Sequence, residues 1–154
     1  MSRDDFNRAV EPIVSALLEM KPERSAAAVL DQRFPVDGDA LRALAALFAQ
    51  GVADGWLCTR EGGPGVSYSR VRKASSDSEL SIDAVRMDRA GPGHTHPNGE
   101  FDLCFAVDGA PSFDGRVPGW TVYEPGSWHV PTVEGGTMNI LYFLPGGAIE
   151  FGPR

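Results

Sequence analysis

The first third of the chain repeats apolar residues every three or four positions, which is the spacing of one face of an α-helix. The first such set consists of Phe6, Val10, Ile13, Val14, Leu17 and Leu18. Ser2 is typical of a helix start, Pro22 indicates the beginning of a second helix, and Gly55 is a natural end for a third. This pattern predicts three amphipathic helices within residues 1–55.

From residue 56 onward the helical period disappears, and short apolar runs alternate with glycine- and proline-rich segments. Strands are predicted at residues 66–71, 79–87, 101–107, 120–123 and 137–144, and turns are predicted at 108–109 and 135–136 among other places. Many short strands with regular turns favour a β-barrel or sandwich. We therefore predict a mainly β fold with an α-helical N-terminal segment, divided into helices (1–55) and a β-barrel (56–154).

The charge balance limits the classes of partner. The chain has 154 residues and a net charge of −7. This charge repels a phosphate backbone, so we expect no nucleic-acid partner. No apolar run is long enough for a membrane helix, and the polar N-terminus does not resemble a secretory signal. We therefore expect no membrane association and a cytoplasmic location.

All three histidines lie in the predicted β region. His94 and His96 are two positions apart, so on a strand both imidazoles point to the same face. Glu100 and Asp102 share a face of the next strand in the same way, and His129 follows a Pro-Gly turn. A polar face directed into a barrel is costly unless something pairs with it. Two or three imidazoles with a carboxylate suit one divalent ion: Fe, Mn, Zn or Ni.

The same region resembles the cupin superfamily. The first cupin motif has two histidines spaced His-x-His before an acidic ligand, and His94 and His96 match that pair. The second motif has a histidine three residues after a glycine, and Gly126 with His129 matches it. The resemblance implies that a cupin barrel, also called a double-stranded β-helix or jelly roll, follows the three helices in the chain.

The resemblance leaves two candidates for the acidic ligand. In the first cupin motif a glycine follows the acidic ligand. The family spacing counted forward from His96 places the ligand at Glu100, whereas the spacing counted back from Gly109 places it at Asp102. We favour Glu100 as the fourth ligand and assign general acid/base catalysis to Asp102, although the two catalytic carboxylates could exchange roles. The expected metal ligands are then His94, His96, Glu100 and His129.

A narrower resemblance covers most of the barrel. The chain is similar to the 4-hydroxylaminobenzoate lyase family at residues 94–100, 113–116, 119–120, 125–127, 131–133 and 144–151. Members of this family are small bacterial proteins of nitroaromatic breakdown. The resemblance implies a carbon–nitrogen lyase that converts 4-hydroxylaminobenzoate to 3,4-dihydroxybenzoate (protocatechuate) and releases ammonia. It also implies a homodimer.

An aromatic carboxylate substrate requires a cation for its carboxylate and a surface for its ring. Arg70, Arg72 and Arg86 lie on predicted strands, and arginine binds carboxylates through two parallel hydrogen bonds. We favour Arg86, because it ends the strand that leads into the first histidine motif. Trp128 and Tyr142 are candidates for stacking on the ring.

Two other functions are compatible with the same residues, because a fold does not fix a function. One is another metal-dependent cupin enzyme, a dioxygenase or isomerase that acts on a small aromatic or polar acid. The other is a non-enzymatic cupin that binds a small ligand. The amphipathic helices allow two arrangements as well: they pack on the outer face of the barrel, or they mediate dimerisation.

Overall fold

The structure is a computed structural model that describes residues 3–76 and 78–154. It begins with three helices, α1 (Arg3–Leu17), α2 (Ala26–Arg33) and α3 (Asp39–Asp54). The three predicted helices are confirmed, but α2 begins at Ala26 and not at Pro22, because a tight turn bonds the Ala26 N–H to the Glu23 carbonyl. Gly55 ends α3 in a left-handed conformation, with φ 81°. The helix start expected at Ser2 lies outside the described residues.

Within the described residues, nine strands follow and form two antiparallel sheets. They are β1 (Arg60–Glu61), β2 (Val66–Arg72), β3 (Leu80–Met87), β4 (His94–His96), β5 (Glu100–Phe113), β6 (Gly119–Tyr123), β7 (Ser127–His129), β8 (Val133–Pro145) and β9 (Glu150–Phe151). The large sheet has the order β1-β2-β3-β8-β5-β6, and the small sheet has the order β7-β4-β9. The fold is therefore mainly β with N-terminal helices, as the sequence pattern predicts.

The turns predicted at 108–109 and 135–136 are wrong, since both pairs lie inside the long paired strands β5 and β8. These two strands are therefore longer than the predicted runs 101–107 and 137–144. The register of their pairing shifts near both glycine positions. Gly109 and Gly135 have φ 66° and 82°, a backbone that glycine adopts without strain at a β-bulge. Glycine is favoured both in turns and at β-bulges, so the sequence alone does not distinguish the two structures.

Successive side chains of a strand point to alternate faces of a sheet. The strands β3, β5 and β8 of the large sheet have runs of consecutive buried residues, so both faces of the sheet are buried along these runs. The outer face of β5 is apolar and carries Phe101, Leu103 and Phe105. The opposite face of β5 carries Glu100, Asp102 and Cys104. We call this second side of the sheet the lumen face. It holds its own apolar cluster, which includes Val85, Met87, Phe113, Met138, Ile140 and Tyr142.

The helices pack on the outer face and share one hydrophobic core with it. In α3, Phe48 makes edge-on contacts with Phe6 of α1 and Phe105 of β5, at centroid distances of 6.2 and 6.5 Å. In α2, the Asp31 carboxylate accepts a hydrogen bond from the Trp120 backbone N–H on β6 at 3.0 Å. The structure thus has the first of the two helix arrangements considered above. None of the described helices has the length and apolar character needed to cross a membrane.

We expect the helices and the barrel to unfold together, because they share this core. Phe48→Ala removes a fully buried ring and should lower the free energy of unfolding by about 3–5 kcal/mol. Leu18→Ala, at a side chain that is 52% exposed, is the matched control and should change it little. Chemical denaturation followed by far-UV circular dichroism and tryptophan fluorescence tests this. Separate transitions for the two signals would show that the division at residue 55 marks an independent unit.

Candidate metal centre

The three histidines are brought together by strand pairing in the small sheet. His94 of β4 lies directly opposite His129 of β7. His96 is two residues further along β4 and points to the same side as His94. Glu100 begins β5 and reaches the same point from the lumen face of the large sheet. Ligand atoms of these four residues all lie within 4.8 Å of one another.

The distances within this cluster fit a single bound ion. His94 Nε2 lies 3.2 Å from His129 Nε2, and Glu100 Oε2 lies 2.9 Å from His96 Nε2 and 3.7 Å from His129 Nε2. Bonds of about 2.1 Å to one metal place neighbouring donor atoms roughly 3.0–3.4 Å apart in octahedral or tetrahedral geometry. The observed spacings bracket that range, so only small side-chain adjustments are needed to place all four donors around one cation.

The outer nitrogen of each imidazole is held by a hydrogen-bond acceptor. His94 Nδ1 donates to the Pro92 carbonyl at 3.1 Å. His96 Nδ1 donates at 3.1 Å to the Ser127 hydroxyl, whose own proton goes to a backbone carbonyl. His129 Nδ1 donates to the Asp114 carboxylate at 2.6 Å. Because Nδ1 is the bonded nitrogen in every case, all three Nε2 atoms face the cluster, as in histidines that bind metals.

The electrostatics favour a positive charge at the centre of the cluster. Glu100 is fully buried, and neither of its carboxylate oxygens has a hydrogen-bond partner among the described residues. Burial alone raises the pKa of Glu100, but the three histidines outweigh burial and hold its pKa well below the ordinary value. Burial lowers the pKa of His129, yet Asp114 and Glu100 raise it to about 9. A divalent cation satisfies these orphaned donors, so the residues fit a metal.

Asp114 was not expected to belong to this site. The sequence indicates only a turn at Asp114-Gly115, and Asp114 does adopt a left-handed conformation there, with φ 50°. Its carboxylate accepts hydrogen bonds from His129 Nδ1, from the Tyr123 hydroxyl and from the Thr132 backbone N–H. Asp114 thereby fixes the orientation of the His129 ring. Sequence spacing does not reveal this role, because the three donors come from other segments.

Asp102 lies beside the cluster but is not one of its four converging residues. It follows Glu100 by two positions on the lumen face, and it is fully buried with both oxygens unpartnered among the described residues. Burial, together with the charges of Glu100 and Asp114, raises the pKa of Asp102 well above its ordinary value. The two carboxyl groups therefore differ: Glu100 favours the charged form, and Asp102 favours the neutral acid.

A cavity of about 890 Å³ reaches the cluster at His94. Tyr142, one of the predicted stacking residues, lines this cavity, and its ring centroid lies 6.4 Å from that of His94. Phe151 of β9 also lines it, with its ring 5.6 Å from His94. The cavity is large enough for a substituted benzene ring. Phe151 was not among the predicted site residues, since its place beside His94 depends on the β4–β9 pairing.

Two predicted substrate-binding residues point elsewhere. Arg86 pairs with Asn139 across β3 and β8, and its guanidinium contacts that side chain at 3.5 Å. Asn139 in turn pairs with Phe105, so Arg86 lies on the outer face of the sheet. Trp128 lies between two lumen-directed neighbours on β7, and its indole N–H donates to the Gly152 carbonyl. The structure therefore brings neither Arg86 nor Trp128 to the cluster.

Comparisons with known proteins agree on one family. The chain matches the family model described as PnbB, 4-hydroxylaminobenzoate lyase, over residues 8–151. It is 30% identical over 140 residues to a 4-hydroxylaminobenzoate lyase of Pseudomonas putida, covering 79% of this chain and 80% of that one. It is 36% identical over 119 residues to the enzyme of that name from a Nocardioides species, covering 70% of each. An RmlC-like cupin protein of Ralstonia eutropha aligns with a TM-score of 0.47 and 11% identity, over 64% of this chain and 66% of that one.

We expect Asp114→Asn to weaken metal binding. Asparagine tolerates the left-handed backbone, but its neutral amide cannot replace the charged acceptor that holds His129 Nδ1. The metal dissociation constant should rise about 10- to 100-fold, measured by competition with a chromophoric chelator. Asp88→Asn is the control, because Asp88 is exposed and bonds the exposed Arg89 and no histidine of the cluster. Equal dissociation constants for the Asp114 variant and the unsubstituted protein would contradict the positioning role.

Proposed function

Because this chain belongs to the 4-hydroxylaminobenzoate lyase family, we propose that it converts 4-hydroxylaminobenzoate to 3,4-dihydroxybenzoate and ammonia, in the breakdown of nitroaromatic compounds. Family membership makes the chain a lyase-like enzyme. The observation that carries the proposal is the convergence of three imidazole Nε2 atoms and one buried carboxylate beside a cavity large enough for an aromatic ring. The homodimer and the cytoplasmic location remain predictions.

We propose that His94, His96, Glu100 and His129 hold one divalent metal ion. Their mutual distances and the orientation of the Nε2 lone pairs support this assignment. Glu100 is assigned the ligand role that the sequence left open between two carboxylates, because it belongs to the converging set. Fe, Mn, Zn and Ni all accept such donors. When bound, the ion supplies Lewis acidity that polarises the N–OH group or a water molecule.

The proposed reaction balances with one water molecule and no external oxidant. The N–O bond breaks as its oxygen leaves as water, so the nitrogen is reduced. One water then adds to the ring carbon next to the carbon that carries the nitrogen, and the ring carbon that gains this oxygen is oxidised. A second water hydrolyses the imine that remains at the C–N carbon. Ammonia leaves, and loss of a ring proton restores the aromatic diol. The net change is the addition of one water and the release of one ammonia.

The chain's own residues have defined tasks in this scheme. We assign Asp102 the proton transfers: it protonates the leaving oxygen of the N–OH group and then accepts a proton from attacking water. Its position on the lumen face, next to Glu100 and with unpartnered oxygens, supports this role. The raised pKa of Asp102 is consistent with a proton donor. Tyr142 lines the cavity and contacts the substrate ring.

The metal assignment predicts that His96→Ala removes the ion. His96 is fully buried, and its Nε2 lies 2.9 Å from Glu100 Oε2, so alanine removes a donor atom from the middle of the cluster. Elemental analysis should find about one metal per chain in the unsubstituted protein and a large loss in the variant. The matched control is Thr95→Ala, because Thr95 lies between the two histidines and points to the opposite side of β4. Full metal content in the His96 variant would remove the proposed site.

The proton-transfer role predicts that Asp102→Asn retains the metal and loses turnover. The amide keeps the shape of the side chain but cannot exchange a proton in the same way, so kcat for ammonia release should fall about 10²- to 10⁴-fold. Asp108→Asn makes the same change on the exposed part of β5 and should leave kcat nearly unchanged. An Asp102 variant with normal turnover, or one that loses its metal, would require the carboxylate roles to be reassigned.

A further inference from the structure

The cavity that reaches the cluster is basic, although the chain as a whole is acidic. Four basic residues line it, namely Arg3, Arg60, Arg70 and Lys73. Among the described residues that line the cavity, Asp83 is the acidic one. The net charge of the chain is −7, so this concentration of cations is local. A cavity of this kind favours an anionic ligand over a neutral one.

One of these cations lies in register with the reaction site. Arg70 on β2 pairs with Asp83 on β3, Asp83 pairs with Tyr142 on β8, and Tyr142 pairs with Asp102 on β5. Directly paired residues of neighbouring strands point to the same face of a sheet. The four side chains therefore form one row across the lumen face. The row spans three strand spacings, about 14 Å along the sheet, which an arginine side chain and a para-substituted benzoate fill together.

Asp83 holds the Arg70 guanidinium by one edge. It accepts hydrogen bonds from Arg70 Nε at 2.5 Å and from Arg70 Nη2 at 3.4 Å. A guanidinium has five N–H donors in a planar fork, so this contact leaves the edge formed by Nη1 and Nη2 for a second carboxylate. Arg70 is 45% exposed, whereas Asp83 is 16% exposed. The half-buried Asp83 thus orients an arginine whose Nη1–Nη2 edge is open to the cavity.

We propose that Arg70 binds the carboxylate of the substrate, at the side of the cavity away from the histidine cluster, and thereby selects para-substituted benzoates. This inference rests on the proposed function and adds a specificity-determining residue to it. With the carboxylate on Arg70, the ring lies over Tyr142, and the para nitrogen faces Asp102 and the cluster. The row therefore sets the orientation of the substrate, with its carboxylate at Arg70 and its reactive nitrogen at the histidine cluster.

The two other strand arginines considered from the sequence lack this geometry. Arg72 is in an ion pair with Glu11 of α1 and is separated from Arg70 by a register shift in the β2–β3 pairing. Arg86 lies on the outer face, beside Asn139. Both arginines are therefore suitable controls. Arg72 lies on β2 and Arg86 lies on β3, each carries the same charge as Arg70, and neither belongs to the row.

The test compares two probes that cannot release ammonia from a hydroxylamino group, 4-nitrobenzoate and the uncharged 4-nitrobenzamide. Isothermal titration measures their binding to the purified full-length protein. Arg70→Gln should weaken 4-nitrobenzoate about 10- to 100-fold, the usual effect of losing hydrogen bonds to a charged group, and should change 4-nitrobenzamide less than about twofold. Arg72→Gln and Arg86→Gln should leave the affinity for both probes unchanged.

A further variant distinguishes loss of the Arg70–carboxylate contact from a general distortion of the cavity. Arg70→Gln leaves the half-buried Asp83 without its partner, so Arg70→Gln/Asp83→Asn removes both charges together. This double variant should melt near the unsubstituted protein and still bind 4-nitrobenzoate weakly. Equal weakening of both probes in the double variant, or an unchanged affinity for 4-nitrobenzoate, would overturn the assignment. So would a selective loss of 4-nitrobenzoate binding in Arg86→Gln.

Binding and turnover distinguish this inference from the proposed function. If the unsubstituted protein binds 4-nitrobenzoate through Arg70 but releases no ammonia from 4-hydroxylaminobenzoate, the lyase assignment fails and the carboxylate site stands. If ammonia is released and Arg70→Gln leaves KM unchanged, the lyase assignment stands and the carboxylate site fails.

Discussion

A buried carboxylate that faces the Nε2 atoms of three imidazoles is the constraint on which the rest of this structure depends. Glu100 is fully buried, and its oxygens have no hydrogen-bond partner among the described residues. Each facing histidine is held through its Nδ1, so that its Nε2 points towards Glu100. Such an arrangement is costly in an apolar interior unless a cation occupies its centre. The proposed metal site and the proposed roles of the two carboxylates rest on this requirement.

The groups that orient the histidines come from segments far apart in the chain. A proline carbonyl before β4, the Ser127 hydroxyl on β7 and the Asp114 carboxylate after β5 each fix one imidazole. Asp114 also binds Tyr123 and the backbone of Thr132. These contacts lock three side chains before any ligand arrives, which reduces the entropy lost when an ion binds. Two of the three orienting groups, the Pro92 carbonyl and the Asp114 carboxylate, therefore come from outside the short strands of the small sheet.

The sequence predicts what local spacing determines and misses what cross-strand register determines. The His-x-His pair and the alternation along β5 are local, so the helices, the mainly β fold and the four converging residues could be predicted. The position of Arg86 could not, because β3 is buried on both faces and its pattern does not distinguish lumen from outside. Arg70 pairs with another strand and Asp114 contacts distant segments, so local spacing reveals the surroundings of neither residue. The pairs Asp108-Gly109 and Gly135-Gly136, which predict turns, lie instead at bulges within long strands.

The two faces of the large sheet separate stability from chemistry. On the outer face, Phe101, Leu103 and Phe105 join the helices in a continuous apolar core. The alternate residues of the same strand, Glu100 and Asp102, are then free to be polar, because the hydrophobic stabilisation of β5 comes from its other side. A one-residue slip of β5 would bury charges against the helices and place phenylalanines in the lumen. The helices thus keep β5 in register, and through that register they keep the carboxylates at the cluster.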